Sequence, residues 1–219
     1  MPHAERLLHQ DSLIRRNEVV DLGRQGIKKA AGLAVRAFKE DPMMEYVFPR
    51  GPDDERKAYR FSLATIRYGL MVGEGYTTQA ESGFAVWLPP GHKEISAYGL
   101  IRSGMFFVPF MLGRQSYRRL LNCIDYTVRV HKELMPEPHW YLQELAVEPK
   151  QQGIGIGGAL LEPVLEKADS EGHPCYLETF TGRGVRFYKR RGFKVVLEGE
   201  PPRGGPYCWS MRREASGTR

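Results

Sequence analysis

The spacing of apolar positions changes along the chain, and each change marks an element. Residues 18–22 alternate in the manner of a short strand. From residue 26 to residue 38 the period lengthens. Ile27, Ala30, Ala31, Ala34, Val35 and Phe38 recur at the three- and four-residue spacing of one helix face. Asp41-Pro42 stops that helix, because the residue before a proline is pushed out of the helical region. The following MMEYVFP reads as an apolar, aromatic connection. A second helix is expected over residues 53–72, opening on acidic residues that suit the positive end of the helix dipole. Strands follow at residues 75–79 and 83–88, the second closed by Pro89-Pro90-Gly91. Residues 93–134 read as helices rich in Met and aromatics, broken at Pro109 and Gly113. The remainder alternates regularly: strand 140–147, helix 155–171, strand 174–180, a short helix 184–191, then strands 194–197 and 207–212. Interleaved strands and helices predict an α/β protein with a mixed sheet. We read 1–219 as a single domain, with an N-terminal part over 17–92, a helical insertion over 93–135 and a core over 138–213. The first dozen residues and residues 214–219 read as polar, frayed ends.

Composition narrows the picture modestly. A hydrophobic fraction of 42% supplies a core without disulfides. Cys123, Cys175 and Cys208 are odd in number and widely spaced, so neither a zinc site nor a disulfide framework is indicated, and no metal is expected. The opening MPHAERLLHQDS has no apolar core of a signal peptide, and the most apolar run, 105–112, is too short to cross a bilayer. A cytoplasmic protein with no membrane partner is the expectation. The net charge of +6 favours an anionic ligand. The basic residues are scattered, however, and their densest group, Lys189-Arg190-Arg191, has no nucleic-acid module around it. Nucleic acid is not expected as a partner.

The chemistry concentrates in one unit: strand WYLQELAV, turn EPKQQGIGIGG, helix ALLEPVLEKADSEG and strand PCYLETF. Glycines at a helix N-terminus let backbone N–H groups approach an anion closely, and the helix dipole adds to them. Such a turn suits a phosphate or pyrophosphate. A P-loop is excluded, because no Lys-Ser or Lys-Thr follows the glycines. A dinucleotide fold stays open: Gly153, Gly155 and Gly158 satisfy GxGxxG, and Glu178 stands where a ribose contact is expected. Against it, too little chain follows to build the second half of that fold.

The third ligand is coenzyme A. Residues 152–157, Gln-Gly-Ile-Gly-Ile-Gly, fit the pattern Q/R-x-x-G-x-G/A, and RFYKRRGF at 186–193 places a Tyr on a short helix before Gly-Phe. On these two motifs, in this order, the chain resembles the GNAT N-acetyltransferase superfamily. AVWLPPG, HWYLQELAVEP, CYLETF and the Trp209 strand extend the resemblance to the puromycin N-acetyltransferase group. The resemblance implies a GNAT-like mixed, mostly antiparallel central sheet flanked by helices, with a helical insertion before the central cofactor strand. It also implies acetyl-CoA as cofactor and an N-acetyltransferase acting on a small-molecule amine.

The same resemblance assigns the pyrophosphate to the backbone of Gln152, Gly153, Ile154, Gly155, Ile156, Gly157 and Gly158. It gives pantetheine to the backbone of Leu145, Ala146 and Val147, and the thioester oxygen to an N–H near Leu145. Thr179, Gly184 and Phe187 complete the cofactor set. Gly184 stands where many relatives carry Asn, so Thr179 or Arg183 would have to supply that hydrogen bond. Tyr188 is the expected general acid for the departing thiolate. An alkylammonium, with a pKa of about 10, must lose a proton before attack. Glu144 is the candidate base; a plain strand carboxylate is the competing reading. Strand alternation puts Leu142, Glu144 and Ala146 on one face. The resemblance places the acceptor pocket at the first helices and the insertion, which brings in Phe38, Met44, Tyr46 and Phe106. Those apolar residues equally suit a core or the surface of a homodimer. The histidines show no paired spacing, and no acidic cluster pointing to a polyamine is visible. Two further classes remain: a non-catalytic acyl-CoA sensor and an NAD(P)-binding oxidoreductase.

Overall fold

The protein's computed structural model describes residues 18–49, 51, 53–92 and 96–217. The polar leader and the first residues of the insertion fall outside these.

The elements are β1 (Val19–Asp21), α1 (Ile27–Ala37), α2 (Pro42–Val47), α3 (Asp54–Val72), β2 (Glu74–Thr78) and β3 (Gly83–Leu88). The insertion supplies α4 (Ala97–Ser103), a 3-10 turn (Met105–Phe107) and the long α5 (Val108–Leu134). Then come β4 (Trp140–Val147), α6 (Ile156–Glu171), β5 (Cys175–Thr179), α7 (Gly182–Lys189), β6 (Lys194–Gly199) and β7 (Cys208–Arg213). The strands form one seven-stranded sheet in the order β1-β2-β3-β4-β5-β7-β6. Every neighbouring pair is antiparallel except β4 and β5. That pair is parallel because α6 carries the chain over the sheet between them. The expected mixed, mostly antiparallel sheet with flanking helices and a helical insertion before β4 is therefore present.

Two features of β4 govern everything that follows. First, β4 and β5 pair only at Trp140 with Cys175 and Tyr141 with Tyr176. Beyond Tyr141 the strands diverge, and the β5-facing edge of β4 is left open. Second, Val86 of β3 pairs with Glu144 whereas Trp87 pairs with Leu142, so Gln143 is an extra residue in β4, a bulge. The bulge reverses the alternation. Leu142 packs with Trp87 under α6, whereas Ala146 packs with Phe84 and Val86 under α1. The expectation that Leu142, Glu144 and Ala146 share one face is thus corrected: the inserted residue puts Leu142 opposite the other two.

One core fills the α6–α7 face, where Leu160, Leu161, Val164 and Ala168 meet Ala85, Trp87, Cys175, Leu177 and Met211. On the other face, α1 lays Ile27, Ala30, Ala31 and Ala34 against the sheet beside Ile66 of α3. A third cluster joins Val47, Phe48, Ala58, Leu112 and Leu120 from α2, α3 and α5.

Two local readings change. Asp41-Pro42 ends α1 but also begins α2. The Asp41 carboxylate accepts hydrogen bonds from the N–H groups of Met43 and Met44 at 3.0 and 3.3 Å, and Pro42 fits the first helical turn. The supposed connection is therefore a capped helix. Likewise Pro109 does not break a helix, because it lies in the first turn of α5, where its missing N–H is not needed. Gly113 (φ 74°, ψ 167°) does interrupt α5, as expected.

Candidate active site

The diverging strands β4 and β5 and the helices α3 and α5 surround one cavity of about 280 Å³. Its walls include Phe38, Asp41, Met44, Thr65, Gln143, Glu144, Glu178, Thr179 and Tyr188. Residues from six elements (α2, α3, α5, β4, β5 and α7) and two loops thus meet where β4 and β5 separate.

The Gly-rich turn has the geometry that its glycines predict. Gly153 and Gly155 adopt φ of 87° and 98°, a region L side chains rarely enter. Gly155 is the N-cap residue of the sixteen-residue α6. Gln152 holds the turn back onto the strand by donating from Nε2 to the Val147 carbonyl at 3.0 Å. The N–H groups at the start of α6 form the kind of anion site that helix termini provide. Ile154 is exposed, whereas the Ile156 side chain is buried in the core. Gly157 and Gly158 serve close packing: a Cβ at Gly157 would stand 3.1 Å from the Phe187 ring, and one at Gly158 would stand 2.2 Å from Arg191 Nη2. The Arg191 guanidinium lies over the Phe187 ring at 3.9 Å and donates to the Phe187 carbonyl at 3.2 Å. A fixed cation therefore stands beside the turn, and sequence reasoning had treated it only as part of a basic triplet.

Along β4, the Glu148 N–H bonds the Ser82 carbonyl. Hydrogen bonding alternates along a strand, so the backbone of Ala146 also faces β3 while that of Leu145 and Val147 faces the opening. Thr179 lines the other wall, and Gly184 packs against it. A Cβ at Gly184 would approach Thr179 Oγ1 to 2.2 Å, and the Gly184 N–H is bonded by Thr181 Oγ1 at 3.0 Å. Gly184 thus permits a tight cap on α7, the helix that presents Tyr188.

Tyr188 lies between the rings of Phe187 and Phe193 and also lines the cavity. Burial raises its pKa, so the phenol keeps its proton at any ordinary pH. Glu144 lines the cavity beside Thr65 of α3, whose hydroxyl donates to the Phe61 and Ser62 carbonyls. Burial pushes its carboxyl up to about 8. Glu178, on β5, is raised to about 7 by burial, which the phenols of Tyr141 and Tyr176 partly oppose. Asp41 is raised to about 6 by burial against its two capping bonds. Three carboxyls from residues 41, 144 and 178 therefore meet in one pocket, although no acidic cluster is visible in the sequence.

Of the expected acceptor residues, Phe38 and Met44 line the cavity. Tyr46 does not: its hydroxyl donates to the Gly204 carbonyl at 3.3 Å, and its ring lies under Arg119. Phe106 is exposed and packs edge-on against Phe107, away from the pocket. The histidines are paired after all. His131 and His139 approach to 2.6 Å between their Nε2 atoms, and His131 stacks on Tyr176 at 4.4 Å. His139 Nδ1 lies 2.7 Å from the Glu137 carbonyl, so it must carry the proton, and His131 Nε2 then donates to His139 Nε2. Among the described residues no helix is long and apolar enough to cross a membrane, and no group of three or more His, Cys, Asp or Glu is arranged for a metal.

The model of the acetyltransferase (GNAT) domain family matches residues 117–195, which hold β4, the Gly-rich turn and the Tyr188 helix. An uncharacterized N-acetyltransferase of Schizosaccharomyces pombe is 29% identical over 177 residues, 76% of this chain and 70% of that protein. Among solved structures, a histone acetyltransferase HPA2 and related acetyltransferase from Corynebacterium glutamicum superposes with a TM-score of 0.61 at 18% identity, covering 91% of this chain and 97% of its own. A Drosophila melanogaster polyamine N-acetyltransferase does so at 0.57 and 14% identity, covering 90% and 100%. At these identities the two structures speak for the fold. Residues 117–195 thus carry the likeness to the acetyltransferase (GNAT) domain, and similarity to an N-acetyltransferase extends over 76% of the chain.

Proposed function

We propose that the protein transfers an acetyl group from acetyl-CoA to a primary amine of a small molecule by direct attack, as in the puromycin N-acetyltransferase group that its motifs resemble. The observation that carries this reading is the meeting of Glu144 and Tyr188 at the open edge of β4, in a cavity of about 280 Å³. The residues fit the cofactor. The left-handed glycines 153 and 155, the first N–H groups of α6 and the Arg191 cation suit a pyrophosphate, and Gly157 and Gly158 let the Phe187 ring and the Arg191 guanidinium pack close against the turn. The β4 backbone at Leu145 and Val147 suits an extended amide chain laid along it as an added strand. Acetyl-CoA supplies an activated acyl group as a thioester.

Each remaining step belongs to this chain. Glu144, with its carboxyl at about 8, is a stronger base than an ordinary carboxylate, and it accepts the proton that the ammonium must lose. The N–H of Leu145 donates to the oxygen on which negative charge develops. The Tyr188 hydroxyl, kept protonated by burial, donates its proton to the leaving sulfur. Phe38, Met44 and Phe61 give the acceptor's carbon skeleton an apolar wall.

The test is release of free thiol from acetyl-CoA across a panel of amines, run beside thermal stabilisation by acetyl-CoA, coenzyme A and NAD. Stabilisation by acetyl-CoA with turnover on at least one small amine is expected. Stabilisation by NAD alone would overturn the cofactor reading. Stabilisation by acetyl-CoA with no turnover on any amine would favour a sensor.

A further inference from the structure

The helical insertion carries an apolar face that the rest of the molecule leaves bare. α4, the 3-10 turn and the start of α5 bury Gly99, Ser103, Val108 and Leu112. In the same stretch a Cβ at Gly104 would stand 3.7 Å from Ala64 of α3. Tyr98, Ile101, Phe106, Phe107 and Phe110 are instead exposed. Tyr98 and Ile101 share one face of α4, three residues apart, and Phe106 packs edge-on against Phe107. Tyr98 is 70% and Phe110 79% exposed, so both rings project from the surface rather than line a groove. Single exposed apolar side chains are ordinary, but a run of large ones from Tyr98 to Phe110 marks a contact surface.

The charges around that face have one sign. No Asp or Glu stands between Glu94 and Asp125. Arg102, Arg114 and Arg118 lie within that stretch and are exposed, and among the described residues none of them has an ion-pair partner. Arg102 follows Tyr98 by one helical turn, so cation and ring share a side of α4. The acidic residues of α3 stand in its first turn, where Arg56 and Lys57 pair with Asp53 and Asp54. Ala64, where α3 meets Gly104, is about two and a half turns further on.

These two features together select an occupant. A second copy related by a two-fold axis would set this acid-free, arginine-bearing face against itself, and like charges oppose that contact. Projecting rings would need preformed pockets on a protein partner, whereas a lipid surface yields around them. At a bilayer surface, aromatic side chains settle at the level of the headgroups and guanidinium groups meet lipid phosphates. We propose that the α4–α5 face is a peripheral docking surface for an anionic membrane. The apolar residues from Tyr98 to Phe110 enter the headgroup region, and Arg102, Arg114 and Arg118 hold the lipid phosphates. The lack of a spanning helix, which led to the expectation of no membrane partner, does not bear on contact of this kind. The proposal is independent of acetyl transfer.

The test is sedimentation of the full chain with vesicles of phosphatidylcholine alone and of phosphatidylcholine containing about one-third phosphatidylserine, at low and high salt. Wild type is compared with Phe106→Ala/Phe110→Ala and with Arg102→Gln/Arg114→Gln/Arg118→Gln. All of these side chains are exposed, so both variants should keep the wild-type thermal midpoint. Wild type should bind the anionic vesicles in preference to the neutral ones, and salt should weaken the binding. The partition coefficient should fall about tenfold or more in the Phe variant and about a hundredfold in the Arg variant. Phe110→Trp should show emission that shifts to the blue only with anionic vesicles. No binding to those vesicles, or binding that either variant retains in full, would overturn the proposal. Emission from Phe110→Trp already shifted without vesicles would also overturn it, because the face would then be covered by the chain itself or by a second copy. Binding to poly-glutamate but not to vesicles would overturn it too and assign the face to an acidic protein.

Discussion

Replacing Glu144 by Gln removes an ionisable group while keeping the shape of the side chain. The carboxyl stands at about 8 in the folded protein against 4.5 for a free side chain, because burial penalises its charge. Between those values the folded chain holds a proton that the unfolded chain has released. Wild-type stability is therefore highest below about pH 4.5 with respect to this group, and it is lost as pH rises toward 8. At about 1.4 kcal/mol per pH unit, the ceiling on that loss is about 5 kcal/mol. Glu144 keeps partial surface because the cavity reaches it, and solvent in the cavity screens the charge, which brings the expected loss to about 2 kcal/mol. The assay is urea unfolding of both proteins at intervals from about pH 5 to pH 9. The two should agree within about 1 kcal/mol at the acid end, and Glu144→Gln should be the more stable by about 2 kcal/mol at the alkaline end. Parallel curves across the range would refute the reasoning, because they would mean that Glu144 titrates normally. The same variant should lose the acidic limb of the kcat/KM profile; a limb that survives would remove Glu144 as the base.

Other outcomes follow from single contacts. Tyr188→Phe should lower turnover about 10²-fold with little change in acetyl-CoA binding, measured by steady-state kinetics and direct titration; unchanged turnover would exclude the acid role. Gly73→Ala should destabilise by about 2 kcal/mol or more in urea unfolding, since its Cβ would lie 2.0 Å from the Trp87 carbonyl oxygen, a backbone atom with no room to yield. His131 is held down at about 4, chiefly by burial and then by the His139 charge, so its neutral form stabilises the fold and that stability is lost as pH falls from about 6.5 through 4. His131→Phe should flatten this acid-side loss, followed by thermal midpoint against pH.

The sequence made the strands and the β4–α6–β5 unit readable because their periods are local. The Gly-rich turn was readable for the same reason: its strained φ values fall on glycines that stand close together in the chain. What escaped was non-local or inverted in sign. Asp41-Pro42 looked like a stop because proline ends helices, yet the same pair is also a cap followed by a first-turn proline, and the carboxylate decides between the two. Glu178 looked like a ribose contact when strand spacing was counted alone; its true neighbours, Tyr141 and Tyr176, are fixed by a register that no sequence pattern displays. Tyr46 and Phe106 were assigned to the pocket by residue type, but one hydrogen-bonds Gly204 and the other remains on the surface. The His131–His139 contact spans the end of α5 and the approach to β4, so their separation in sequence carries no period.

The extra residue in β4 makes that strand two half-strands out of phase. Upstream of Gln143, odd-numbered side chains belong to the acceptor face; downstream, even-numbered ones do. Flattening the bulge with Gln143 kept in register would give the strand a single phase. If the Trp140–Leu142 half stayed anchored, Glu144 would swing under α6 into the apolar core, and the amides of Leu145 and Val147 would turn from the opening toward β3. The distance from Trp140 to the Gly-rich turn would grow by no more than one residue's rise, about 3.3 Å. A change that small in length would take the acid, the oxygen-binding N–H and the cofactor edge away together, so alignments of this chain with others gain or lose their chemical meaning at a single gap.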